Sequence, residues 1–373
     1  MSETLQVVHV EAGRHLYGGG LQVLYLMEGL AGAGHGGLLV CPPGSEIGAA
    51  ARRRGLAVAE LPMNGDLDPG LVRRLGRLLA RKQPDLVHLH SRRGADLWGA
   101  LAARRRRLPV VLSRRVDNPE WGPWARRKYR LYDHVVAISA GIRQVLLAGG
   151  VDPGRVSCVP SAVDLHTWRP GGRADARRRL QVRFGVPADA PLAGMVAQLI
   201  PRKGHGDVLR ALPDVLAVAP ELRVICFGRG PLEAGLSRLI AAAGLQERMI
   251  LAGYVEDLPE LMPGFDLLVH PAHMEGLGVA LLQGAACALP LVATPVGGIP
   301  EIVVPGETGT LVPAGDPAAL ARAVLELVSD PALAARLGAA ARARVEARFS
   351  VPAMVEGNLA VYRRVLAERR AGR

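Results

Sequence analysis

Short apolar runs alternate with helix-patterned stretches along nearly the whole chain, and nothing else in the sequence constrains the fold as strongly. In the first half the runs are Gln6–Val10, Leu38–Cys41, Leu86–Leu89, Val110–Leu112, His134–Ile138 and Val156–Val159. Helical patterns at Gly20–Ala33, Pro69–Arg81, Ala95–Arg107 and Ser139–Gly149 lie between them. Strand, helix, strand repeated in this way predicts a parallel sheet with helices on both faces. A stretch rich in Pro, Gly and Arg follows, from Pro160 to Asp189, and reads as a linker loop. The alternation then restarts, with runs at Leu192–Ala197, Leu222–Phe227, Met249–Ala252, Leu267–His270, Leu291–Thr294 and Leu311–Val312. Helices are predicted there at Lys203–Val218, Pro231–Ala243, Val279–Ala288 and Asp316–Ser329. The expected architecture is α/β, two doubly wound parallel-sheet domains of Rossmann type facing a cleft. The domains are placed at residues 1–170 and 171–345, with a terminal helical segment, 346–373, crossing back to the first. A length of 373 residues agrees with two domains at about 100–200 residues each. Ligands of such sheets sit beyond the carboxyl ends of the strands, so the chemistry is expected there.

Composition narrows the class further. With 49% hydrophobic residues the chain is too apolar to be disordered. The most apolar stretch, Val279 to Ala293, is interrupted by Gln283 and Pro290 and falls short of the roughly 20 residues a bilayer crossing needs. The opening MSETLQVVHV carries an acidic residue and no basic region, so no secretory signal is expected. Cys41, Cys158, Cys226 and Cys287 are scattered, without a CxxC pair, and fit reduced thiols in a cytoplasmic protein. The net charge of +12 is uneven: residues 1–170 hold 24 Lys and Arg against 14 Asp and Glu, and the remainder 22 against 20. A cationic first half suits an anionic membrane surface or an acidic substrate; it equally describes Arg-rich helix faces in water. Nucleic acid is not expected as a partner, because aromatics make up only 4% and no binding motif accompanies the charge.

Gly32-Ala33-Gly34-His35-Gly36-Gly37 satisfies G-x-G-x-x-G, but a helix runs into it and a strand runs out. A dinucleotide fingerprint needs the reverse order, so this segment reads as a helix end and turn. The densest chemical signal is His273-Met274-Glu275-Gly276-Leu277-Gly278-Val279, between a buried strand and a helix. Glycines there let backbone N–H groups approach a ligand, and a helix N-terminus favours an anion. Gln283 lies eight residues beyond Glu275, about 12 Å away at helical rise. That span suits a nucleotide sugar; Glu275 as a capping carboxylate and Gln283 as a surface residue fit the same residues. Gln198-Leu199-Ile200-Pro201-Arg202-Lys203-Gly204-His205 follows the first strand of the second half, where Arg202 and Lys203 could neutralise a diphosphate or be solvated loop charges. Gly228-Arg229-Gly230-Pro231 and Gly253-Tyr254-Val255-Glu256-Asp257-Leu258 end the next two strands, with Tyr254 and Leu258 as a wall for a base. Gly297-Gly298-Ile299-Pro300-Glu301 follows a later one.

Taken together, Pro201-Arg202-Lys203-Gly204, Gly228-x-Gly230-Pro231, Glu275-Gly276-Leu277-Gly278 and Gly297-Gly298-Ile299-Pro300-Glu301 resemble the GT-B retaining glycosyltransferases of family 4. Gly18-Gly19-Gly20, Ser139-Ala140-Gly141-Ile142 and Val159-Pro160-Ser161-Ala162-Val163-Asp164 are similar to that family's first-domain segments, more loosely. The resemblance implies transfer of a sugar from a nucleotide sugar, UDP-linked by expectation, with retention, no metal and no other cofactor. The basic first half, through its charge alone, adds the expectation of a glycan or lipid-linked acceptor, as in cell-envelope or exopolysaccharide assembly, and of a cytoplasmic protein docked at the inner face of the membrane. By the resemblance, Lys203 would bind the donor phosphates and Glu275 a sugar hydroxyl. The backbone of Gly276, Leu277, Gly278 and Val279 would hold the diphosphate, and Gly19 and Gly20 would close over it. The leaving phosphate would help deprotonate the acceptor, so no separate base is required.

Three positions depart from that pattern. Gln198 stands where the family usually has Arg, leaving Arg202 as the candidate second cation. Gln283 replaces the second carboxylate of E-x7-E, which predicts weaker ribose binding. The strand Val110–Leu112 is followed by Ser113-Arg114-Arg115 with no His; His88 and His90, one strand earlier, could face the cleft or be structural, and the acceptor-side candidates are His90, Arg92 and Arg115. A nucleotide-sugar epimerase and a non-catalytic nucleotide-sugar or glycan binder are the competing readings.

Overall fold

The computed structural model describes residues 4–90, 94–120 and 122–371. The chain divides into two units, one holding the residues up to Ala162 together with those from Val351, the other Val163–Ser350.

The first unit contains a seven-stranded sheet of β1 (Gln6–Val10), β2 (Gly36–Cys41), β3 (Ala57–Glu60), β4 (Leu86–Leu89), β5 (Val110–Arg114), β6 (His134–Ala137) and β7 (Val156–Cys158). Every pairing is parallel, and the strand order is β3-β2-β1-β4-β5-β6-β7. The crossovers are α1 (Gly18–Gly32), α2 (Glu46–Arg53), α3 (Gly70–Lys82), α4 (Ala95–Arg105), α5 (Gly122–Tyr129) and α6 (Ala140–Ala148). Ser45 and Ser139 cap α2 and α6 by accepting the N–H of Gly48 and Ile142. The segment 32–37 is a helix end and turn: α1 stops at Gly32, Gly34 takes φ +82°, and β2 begins at Gly36.

The second unit carries a six-stranded sheet of β8 (Leu192–Val196), β9 (Arg223–Phe227), β10 (Met249–Gly253), β11 (Leu267–His270), β12 (Leu291–Ala293) and β13 (Gly309–Leu311). It too is parallel, in the order β10-β9-β8-β11-β12-β13. Its helices are α7 (Arg173–Phe184), α8 (His205–Val218), α9 (Glu233–Ala242), α10 (Leu258–Leu261), α11 (Val279–Ala286), α12 (Pro317–Ser329) and α13 (Pro331–Arg348). Asp316 and Asp330 cap α12 and α13, each with Pro at the next position, where a missing N–H costs nothing. The last helix, α14 (Val351–Ala371), belongs to the first unit. Met354, Val355, Leu359, Tyr362 and Val365 on it share one buried cluster with Leu26 and Leu30 of α1.

The segment 160–189 corrects the expectation of a loop, because α7 occupies its middle. Only Ala176 and Leu180 of α7 are buried, too thin an apolar stripe to register as a period. Tertiary contacts hold the helix instead. Arg173 donates to the Phe265 carbonyl, Arg177 to that of Gly264, and both pair with Asp266. Edge strand β3 and helices α2 and α5, all short, were also not anticipated from the pattern.

Candidate active site

In both sheets the strand order reverses once, beside β1 and β4 in the first unit and beside β8 and β11 in the second. Crevices at the carboxyl ends of such strands are where open parallel sheets bind ligands. Lys203 follows β8 and Glu275 follows β11, so the second sheet brings these two to one switch point.

Backbone contacts lock their two loops together. His273 donates its N–H to the Arg202 carbonyl at 2.8 Å, and its Nε2 meets Asp207 Oδ2 at 2.6 Å. Gly204 takes φ +76° and lies so close to the Pro271 carbonyl that any Cβ would overlap it. A one-turn 3₁₀ helix, Pro201–Lys203, then turns the Lys203 side chain inward, where it is buried. Its ammonium donates to Glu275 Oε2, which also accepts from His270 Nε2 at 2.8 Å. Glu275 Oε1 accepts the N–H of Gly276 at 3.1 Å. Burial works to raise the Glu275 pKa, but the His270 hydrogen bond and charge and the Lys203 ammonium outweigh it and hold the carboxyl well below the usual range. His205 opens α8 beside them; burial first, then the charges of His270 and Lys203, lower its pKa to about 4.

Gly276, Leu277 and Gly278 are buried, and Gly278, at φ +100°, caps α11 without any side-chain cap. The first N–H groups of α11, from Val279, thus face the turn beside Glu275, a setting that favours an anion. Glu275 itself precedes the helix, so helical rise does not measure its separation from Gln283, which sits half-buried on α11. Gln198 and Arg202 are half-buried on the loop after β8. Gly228 and Gly230 press on the carbonyls of Ala197 and Leu199, so their missing side chains serve loop packing within the chain. Tyr254 is 52% exposed with the Arg229 guanidinium over its ring at 5.6 Å, whereas Leu258 is buried at the start of α10.

The first switch point carries different chemistry. His9 and His88 are cross-strand partners on β1 and β4, and His90 lies two residues beyond His88. All three are buried, with ligand atoms within 4.8 Å of one another. Arg115 donates to His90 Nδ1 at 3.4 Å, which leaves the His90 hydrogen on Nε2, donated to His9 Nδ1 at 3.0 Å. His88 spends Nδ1 on the Tyr362 hydroxyl at 2.6 Å and Nε2 on Ser113 Oγ at 2.8 Å. A metal ion on His90 Nε2 would force Nδ1–H against the guanidinium, so hydrogen bonding accounts for this trio without an ion. Burial lowers the His9 pKa to about 3 and pushes those of His88 and His90 well down. Burial likewise lowers the Arg115 pKa, to about 10, against Glu11 and Tyr362, which leaves it a cation at neutral pH.

Arg115 packs beside Gly19, and Gly20 lies against Ile47 and Leu16, in the first turn of α1. Arg92 lies outside the described residues. Sequence reasoning missed His270, His205, His9, Ser113 and Tyr362. The signal for His270 was present as His270-Pro271 closing a buried strand just before Glu275; that for Tyr362 was not, since its partner is 274 residues away.

Two family models match the chain: Glycosyltransferase Family 4 over residues 17–167, and Glycosyl transferases group 1 over residues 177–344. The chain is 30% identical to a GDP-mannose-dependent alpha-(1-6)-phosphatidylinositol monomannoside mannosyltransferase of Mycolicibacterium smegmatis, over 78% of this chain and 80% of that one. It is 33% identical to a D-inositol 3-phosphate glycosyltransferase of Acidothermus cellulolyticus, over 79% and 71%. Among solved structures, Anabaena HepE in complex with UDP and glucose superposes with a TM-score of 0.84 at 21% identity, covering 96% of this chain and 99% of that one. A glycosyltransferase from Rickettsia africae gives 0.86 at 20% identity, covering 98% and 99%. With its two Rossmann-like sheets each matched by a family model and its relatives aligned over most of their length, the chain belongs to the GT-B glycosyltransferases of family 4, which use nucleotide-sugar donors.

Proposed function

We propose that the second unit binds a nucleoside-diphosphate hexose and transfers the hexose with retention, without a metal, to a phosphate-bearing lipid-linked or polyol acceptor. The observation that carries this reading is the meeting of Lys203, Glu275 and the uncapped start of α11 at one switch point. Lys203 and the α11 N–H groups neutralise the diphosphate, and their hold on the departing nucleotide is strongest as its charge develops. Glu275, kept ionised, accepts a hydroxyl of the donor sugar. Arg115, half-enclosed by neutral imidazoles, is the acceptor-side cation of the first unit.

The mannosyltransferase relative is named for a GDP-mannose donor, so we favour a guanine nucleotide over the uridine expected from the sequence. The decisive measurement is a thermal-shift and calorimetric screen of GDP, UDP, ADP and CMP with their sugars. GDP-mannose should raise the melting temperature by several degrees at a hundredfold excess over Kd. Stabilisation by none of the nucleotides would sink the donor reading.

No helix among the described residues is long and apolar enough to cross a membrane. The first unit nonetheless exposes Trp124 on α5 beside Arg126 and Arg127, and Leu67 at 91%. These residues, with the basic first half, support docking on an anionic membrane surface. Liposome binding that ignores anionic lipid content would remove that part of the reading.

A further inference from the structure

The Glu275 carboxylate depends on two side-chain donors, and the donor reading asks one of them to serve elsewhere. Lys203 donates to Glu275 Oε2 in the ligand-free protein. A diphosphate beside α11 carries more negative charge than one carboxylate and draws the same ammonium toward itself. Glu275 is then left in a largely buried setting with one of its two side-chain partners shared or gone, and a buried carboxylate short of donors is costly.

His270 is the second donor. It is the last residue of β11, 2% exposed, and its Nε2 lies 2.8 Å from Glu275 Oε2. A carboxylate accepts only, so the Nε2 hydrogen belongs to the ring. The other nitrogen, Nδ1, is buried without a hydrogen-bond partner. The imidazole therefore carries a desolvation cost that one hydrogen bond offsets, and that bond goes to Glu275. A merely space-filling role at this position would be met by an apolar side chain at lower cost.

We propose that His270 is a positioning residue that holds Glu275 in place to receive the donor sugar while Lys203 engages the diphosphate. This rests on the donor-site reading above. The side chain acts through Glu275, from a strand end whose backbone is fixed by the sheet, so its hold does not depend on which anion Lys203 engages.

The proposal separates sugar recognition from nucleotide recognition, and calorimetry can read the two apart. The probes are GDP and GDP-mannose, with UDP and UDP-glucose as a second pair, against the wild type and His270→Gln, His270→Asn and His270→Leu. Gln presents an N–H near the position of Nε2; Asn and Leu do not. Nucleoside diphosphate affinity should stay within about twofold in all three. Affinity for the matching nucleotide sugar should fall about tenfold in His270→Asn and His270→Leu, the size expected for one hydrogen bond to a charged group, and recover to within about threefold in His270→Gln. Equal losses for both ligands, no loss for either, or a Gln variant as weak as Asn would each overturn the proposal. Should His270→Leu fail to fold, the Gln and Asn pair decides alone. A wild type that binds no nucleoside diphosphate overturns the donor reading itself, a result distinct from intact diphosphate binding with no His270 effect on the sugar.

Discussion

The two sheets place polar clusters at the same topological position, the reversal of strand order, yet fill it with opposite kinds of electrostatics. In the second unit an ammonium and a carboxylate are paired beside an uncapped helix start. In the first, three neutral histidines and one guanidinium lie among hydrogen-bonding hydroxyls. Drawing the ammonium of a buried ion pair toward an incoming anion would strand the carboxylate, but Glu275 keeps a second donor in His270, which limits that cost. Neutral imidazoles cannot neutralise an anion, but they orient a cation without competing for it. The second cluster is thus suited to binding and releasing a charged donor, and the first to presenting one fixed positive group.

The largest test of that contrast is removal of the exchangeable pair. Lys203→Ala and Glu275→Ala should each lower kcat/KM for sugar transfer by at least about a hundredfold, in line with losing one charged transition-state contact. Only Lys203→Ala should also weaken nucleoside diphosphate binding, by about tenfold or more. Equal effects on the free diphosphate would mean that Glu275 acts through loop structure alone.

Acid should separate the clusters next. A histidine held neutral in the folded protein takes up its proton only on unfolding, so stability falls as pH drops below about 6.5. For His9, with its pKa lowered to about 3, the loss continues down to that value at about 1.4 kcal/mol per pH unit. Glu275, depressed instead, contributes stability above its ordinary range near 4.5 and loses it only below. His9→Asn keeps an acceptor near Nδ1 and removes the titrating ring. Urea unfolding between pH 7 and 5 should therefore show a slope shallower in the variant, by about a quarter of a proton at pH 7 rising to about one proton at pH 5. An unchanged slope would mean that His9 is not held neutral.

Arg115→Met should raise the acceptor KM about tenfold, the loss of one charge-assisted contact, and leave nucleoside diphosphate affinity alone; Arg115→Lys should recover little of it. An Arg115→Met enzyme with an unaltered acceptor KM would leave the first cluster with a structural role only. Gln283→Glu is the smallest expected change: nucleoside diphosphate binding tightening two- to fivefold by titration calorimetry, if that side chain touches ribose. No tightening would place Gln283 off the nucleotide.

Much of this was legible in the amino-acid order. The strands buried on both faces left continuous apolar runs, and Lys203, Glu275 and the glycine turns sit at strand ends that such runs identify. Helix α7 was not legible, because arginine bonds to carbonyls of Gly264 and Phe265 hold it. The partners of the site were not legible either. His270 looked like the end of a strand, and Tyr362 like one apolar residue on a terminal helix, until folding set them against Glu275 and His88.

The sequence by itself determined two parallel sheets and the local conformations at their ends, since periodicity, caps and glycines act over a few residues. Only the tertiary structure decided which ionisable groups are paired, which are stripped of water and which hold their neighbours in line. Those properties depend on distance through space and on burial, and groups dozens or hundreds of residues apart supply them.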